Sequence, residues 1–117
     1  MKRPFRVKDH REFDRIIRNG KRIKSSHFNV YYEPSSPEQN YSRVGIAVGK
    51  ANGIAVMRVK QKRQVRAMLA SDFDFTKPFN IIIAIKPSYK IDEFAANQDE
   101  LRRSLEQIRE SSIEKQN

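Results

Sequence analysis

Cysteine is absent, which removes disulfides, thiolate metal sites and a cysteine nucleophile. No apolar run approaches the ~20 residues that cross a bilayer, and the opening stretch MKRPFRVKDHREF lacks the apolar centre and small-residue cleavage site of a secretory signal. The expectation is a cytoplasmic protein with no membrane association. Acids are also in short supply: 24 Lys and Arg face 14 Asp and Glu, for a formal charge of +10 and a pI of about 10.2. Such an excess repels itself and attracts polyanions, which leaves nucleic acid, an anionic membrane surface or an acidic protein as partners.

What is present suits one domain over residues 1–117, because a chain of 117 residues supports a single core. The apolar residues cluster in NVYY, VGIAV and NIIIAI, which argues against disorder. Residues 9–19 read as a helix, with Asp9 as N-cap, Phe13, Ile16 and Ile17 at helical spacing, and Asn19-Gly20 as a left-handed stop. KRIKSS reads as a basic connector. In HFNVYY, Phe28, Val30 and Tyr32 alternate with His27, Asn29 and Tyr31 in a strand period. A polar loop, EPSSPEQNYS, leads to a strand in RVGIAVGK with Val44, Ile46 and Val48 on one side. Gly45 and Ala47 fall on the other side, where small residues let a helix or ligand approach the backbone.

Asn52-Gly53 marks a turn into a helix, DFDFTKP ends that helix, and NIIIAIKP predicts a strand covered on both faces. NQDELRRSLEQIRESS predicts a last helix with Asn97 as cap, acids in its first turn, and Leu101, Leu105 and Ile108 on one stripe. A frayed tail is expected after it. The order helix, strand, strand, helix, strand, helix implies an α+β two-layer fold.

The stretch AVMRVKQKRQVRAML, residues 55–69, holds three Arg, two Lys and no acid. Wound at about 100° per residue, Arg58, Lys62, Arg66 and Arg63 occupy one arc with Lys60 just beyond, while Ile54, Met57, Val65 and Met68 gather opposite. With no acid to neutralise them, neighbouring cations cost a few tenths of a kcal/mol each, a cost that phosphate contacts offset. The plain alternative is a solvated helix face. Val59 lies inside the basic arc, where it either packs on a neighbour or interrupts the binding surface.

Exposed rings on which bases stack are the second ingredient of single-strand recognition. Phe13, Phe28, Tyr31 and Tyr32 are the candidates, with ordinary core packing as the competing use. Tyr31 and Tyr32 face opposite sides, so one groove takes only one of them. A self-sufficient nuclease would need a carboxylate cluster or a His pair, and the chain offers His10, His27 and scattered acids such as Asp72 and Asp74.

On these residues the chain resembles the bacterial ribonuclease P protein component. That family's signature, K-x-x-G-N-A-V-x-R-N-R-x-K-R-x-x-R, is matched by Lys50, Gly53, Ala55, Val56, Arg58, Lys60, Lys62, Arg63 and Arg66. The resemblance extends to FRVKDHREFDRIIRNGKRIKSSHFNVYY, NIIIAIKP and ELRRSLEQI. Ile54 and Val59 stand where the pattern has Asn, and Ala67 where an acid or amide usually follows Arg66.

The resemblance implies a four-stranded mixed sheet flanked by about three helices, with a left-handed β-α-β crossover. It also implies a groove for the 5' leader of precursor tRNA, lined by Phe13, Ile17, Phe28 and Tyr31. Ile17 sits where a ring is common, so stacking would be lost there. Lys50, Arg58, Lys60, Lys62, Arg63 and Arg66 would meet the catalytic RNA. The expected function is that of a non-catalytic subunit of an endoribonuclease that matures tRNA 5' ends. No cofactor is expected on the protein, Mg2+ serves the partner RNA, and no obligate protein partner is implied. The alternative is a ribosome-associated or general RNA-binding protein.

Overall fold

The computed structural model describes residues 5–116, with side chains described through residue 108. Helix α1 (His10–Asn19) begins where Asp9, in extended backbone, accepts the Arg11 N–H at 2.8 Å. It ends at Gly20, whose N–H meets the Ile16 carbonyl at 2.8 Å. Gly20 has φ −75°, so the expected left-handed stop is not formed. Glycine serves there through its size. A Cβ would lie 2.4 Å from the Ile16 oxygen and 2.7 Å from the Tyr32 oxygen, both backbone atoms.

The segment expected as a connector contains a strand, β1 (Lys21–Lys24), paired antiparallel with β2 (Phe28–Pro34). Ile23 is its only buried residue, and the cations around that single apolar position hide the alternation. Then come β3 (Arg43–Val48), a 3-10 turn (Lys50–Asn52), helix α2 (Ala55–Asp72), β4 (Phe79–Ile85) and helix α3 (Phe94–Gln116). Gly53, at φ 115°, turns the chain into α2, as Asn52-Gly53 predicts.

Helix α3 starts at Phe94, before the expected cap. Asn97 is instead a buried residue inside the helix, its Nδ2 donating to the Lys90 carbonyl at 2.7 Å. The first turn therefore carries no acid. The helix runs on to Gln116 through the segment expected to fray, and residue 117 lies outside the described residues.

The sheet order is β1-β2-β4-β3, antiparallel except for the parallel pair β3 and β4, which α2 connects. The result is a four-stranded mixed sheet with three helices. Residues of both helices α2 and α3 pack on one face, with Val65, Met68, Leu69, Leu101, Leu105 and Ile108 against Phe28, Val30, Ile81 and Ile83. Helix α1 covers the other face, where Ile16 and Val7 meet Ile82. Adjacent isoleucines of β4 thus enter opposite cores and are buried to 1% exposure or less at positions 81–83, as the unbroken apolar run predicts. Among the described residues no helix is long and apolar enough to cross a membrane.

Candidate nucleic-acid interface

Helix α2 is anchored by Gln61, Val65, Met68 and Leu69. The amide of Gln61 is buried because Asn52 answers it, donating to Gln61 Oε1 at 2.9 Å while also reaching the carbonyls of Ile85 and Lys86. Asn52 therefore clamps the entry turn to both α2 and the end of β4. Ile54, expected on the packed side, is instead the N-cap and 71% exposed, because it precedes the first helical turn.

With the inner face so fixed, Arg58, Lys62 and Arg66 emerge half-buried along one flank, and Lys60 and Arg63 stand exposed on the outer ridge. Lys50 is exposed in the turn before the helix. Among the described residues the ion pairs are Arg15–Glu33, His27–Glu100, Arg43–Glu12, and Arg102 and Arg103 with Asp99. No α2 cation takes part. Arg58 alone has an internal partner, donating from Nε to the Gly53 carbonyl at 3.1 Å. The positive face is displayed without neutralisation.

Three rows of residues cross the α1 face of the sheet. Glu33, Asn80 and Arg43 form the first; Arg22, Tyr31, Ile82 and Gly45 the second; Lys24, Asn29, Ala84 and Ala47 the third. Helix α1 is bolted over the first row by Glu12 on Arg43, at 2.7 and 2.9 Å, and by Arg15 on Glu33, at 2.7 Å. The hydrogen bonds from Arg43 hold the Glu12 carboxyl below its ordinary value, against the opposing pull of burial. Phe13 lies over Gly45 of the second row, where a Cβ would come within 2.5 Å of the ring. The close approach expected at Gly45 is therefore made by Phe13. The third row is half-open: Asn29, Ala84 and Ala47 are half-buried and Lys24 is exposed.

Phe13 and Tyr31, both half-buried, and Ile17, 39% exposed, thus share this side of the sheet. Phe28 does not join them. It is wholly buried on the opposite face, its ring 5.7 Å from that of Tyr89, because the strand period sends it inward with Val30 and Tyr32. Sequence reading passed over Arg22, Lys24 and Asn29, which reach the groove only through strand register. Asn29 Oδ1 is buried there without a hydrogen-bond partner.

The two halves meet at the β3 edge. A cavity of about 220 Å³ is lined by Arg6, Lys8, Phe13, Gly45, Lys62 and Arg66, among others. The groove aromatic and two α2 cations therefore border one space. A different cavity, about 150 Å³ between α2 and α3, is edged by charges of both signs, Asp72, Asp74 and Glu106 beside Lys77 and Arg102.

The family profile for ribonuclease P matches residues 1–109, almost the whole chain. The chain belongs to the ribonuclease P protein component family. The ribonuclease P protein component of Macrococcus caseolyticus is 31% identical over 109 residues, covering 92% of this chain and 90% of its own. That of Listeria welshimeri is 36% identical over 109 residues, covering 90% and 85%. Among solved structures, the Staphylococcus aureus ribonuclease P protein superposes with a TM-score of 0.74 at 27% identity, covering 87% of this chain and 93% of that one. The Thermotoga maritima ribonuclease P protein gives 0.72 at 27%, covering 84% and 96%. Membership of the ribonuclease P family makes the chain a subunit of a tRNA-processing ribonucleoprotein, and no comparison supports the ribosome-associated alternative.

Proposed function

We propose that α2 docks on the catalytic RNA of ribonuclease P while the groove beside α1 holds the 5' leader of precursor tRNA. The protein's work is electrostatic and positional. Lys50, Arg58, Lys60, Lys62, Arg63 and Arg66 reduce repulsion between two polyanions, and Phe13, Ile17 and Tyr31 with Arg22 and Lys24 keep the leader in register. Mg2+ held by the RNA supplies the activated water for phosphodiester hydrolysis. The complex works in the cytoplasm, with no further protein required.

The observation that carries this reading is the shared cavity where Phe13 of the groove meets Lys62 and Arg66 of the unpaired basic helix. The residues that a self-sufficient nuclease would use are dispersed instead: His27 pairs with Glu100, Asp72 accepts from Gln98, and His10 is exposed at the start of α1. The test is binding of precursor tRNA to the assembled complex with leaders of different length. Phe13→Ala should abolish most of the preference for leader-bearing over mature tRNA, with circular dichroism confirming the fold. An unchanged preference in the folded variant would count against the groove. Recovery of ribosomal RNA alone with the tagged chain would count against the subunit role.

A further inference from the structure

Five large apolar side chains are exposed among the described residues, and three of them, Ile54, Val56 and Val59, stand at 71%, 59% and 52% at the start of α2. Nothing inside the molecule uses them. Ile54 occupies an N-cap, where Ser, Asn or Asp would satisfy a helix N–H and add about 1 kcal/mol, yet it makes no side-chain cap bond. Val56, Val59, Lys60 and Arg63 follow the i, i+3, i+4, i+7 spacing of one helix face. With Ala55 they line a shallow, almost wholly apolar depression of about 290 Å³.

The occupant must be apolar at its centre and negative at its edge, since Lys60 and Arg63 border the depression and neither has an acid partner. A second copy of this chain would set cation against cation in a protein of net charge +10. Duplex RNA presents phosphates, a deep, narrow major groove and a wide minor groove edged by polar 2'-hydroxyls, whereas an unpaired base offers a flat apolar face flanked by its own phosphates. We infer that the Val56–Val59 depression seats one unstacked nucleobase of the partner RNA, with Lys60 and Arg63 on the phosphates either side. The inference rests on the reading that α2 meets RNA, and goes beyond it by assigning part of that contact to an uncharged base. Val59 is then a contact in its own right within the basic arc.

The test compares the full chain, Val56→Ser/Val59→Ser, Val59→Leu, and Lys62→Ala/Arg66→Ala for binding to a transcribed bacterial ribonuclease P RNA across a salt series. The double Ser variant should bind about tenfold more weakly at every salt concentration with an unchanged salt slope, because no ion is released by an apolar contact. Val59→Leu should retain or improve affinity. Chemical probing should show one unpaired base protected by the full chain and by Val59→Leu, and exposed with the Ser variant. Unchanged affinity, a changed slope or absence of such a base would overturn the seat. So would a Ser variant that loses self-association or capture of an acidic protein while binding RNA normally. If Lys62→Ala/Arg66→Ala also left affinity and slope untouched, the failure would belong to the docking of α2 itself. The valines are exposed, so loss of fold is not expected, and melting curves verify it.

Discussion

Glu100 holds three groups of the β1–β2 turn at once: the Ser25 hydroxyl at 2.6 Å, the His27 N–H at 2.7 Å and His27 Nδ1 at 2.6 Å. Burial is the largest single influence on its carboxyl and pushes its pKa up, but these hydrogen bonds together outweigh it and leave the group below its ordinary value. The unfolded chain, with an ordinary carboxyl, then binds more protons over the interval between the two values. The stabilisation is complete above about pH 5 and is lost as pH falls through the lowered folded value. Glu100→Gln should cost about 1 kcal/mol at neutral pH and should lose less further stability than the wild type as pH is lowered toward about 3. Thermal melts across that range check it, and parallel curves would contradict it. Two glycines offer a second residue-scale test. Gly20→Ala drives a Cβ into backbone oxygens, while Gly45→Ala meets the Phe13 ring and the Ile82 methyl, which can give way. The first should destabilise by more than about 3 kcal/mol and the second by about 1–2. Only the second, by displacing Phe13, should disturb leader binding in a chain that still folds.

At the scale of elements, α2 divides its duties by facet, with packing inward, Lys62 and Arg66 along the β3 flank, and Lys60 and Arg63 on the ridge. Each of Lys62→Ala, Arg63→Ala and Arg66→Ala should weaken RNA binding and reduce the slope of log K against log salt by about 0.7–0.9. Arg58→Ala should also loosen the start of the helix, since that side chain holds the Gly53 carbonyl. A salt titration with the four variants separates these effects. The basic facets were legible in the sequence because charge and helical spacing are local properties, and so were β4 and the Gly45 approach. Other features were not. β1 has one apolar residue among cations and becomes a strand only by pairing with β2. Phe28 and Tyr31 are both aromatic, and only the alternation of β2 about a sheet covered on both faces separates core from groove. Arg22, Lys24 and Asn29 come together through register, which no single segment encodes.

For the whole molecule, acids are spent where they fasten elements: Glu12 and Glu33 tie α1 to the sheet, and Glu100 ties the turn to α3. The five cations of α2 take no part in those pairs and stand together along one helix. Part of the chain's net charge of +10 thus lies, without acids between its members, where two RNAs would be brought together. The most direct measurement is cleavage of precursor tRNA by a bacterial ribonuclease P RNA at low magnesium. The reaction is run with the full chain and with a Lys62→Ala/Arg63→Ala/Arg66→Ala variant shown to be folded. The full chain should restore cleavage at a magnesium concentration where the RNA alone is inactive, and the triple variant should need substantially more magnesium. Equal rescue by the two proteins, or cleavage by the protein with no RNA present, would contradict the assignment of α2 as the RNA-docking surface.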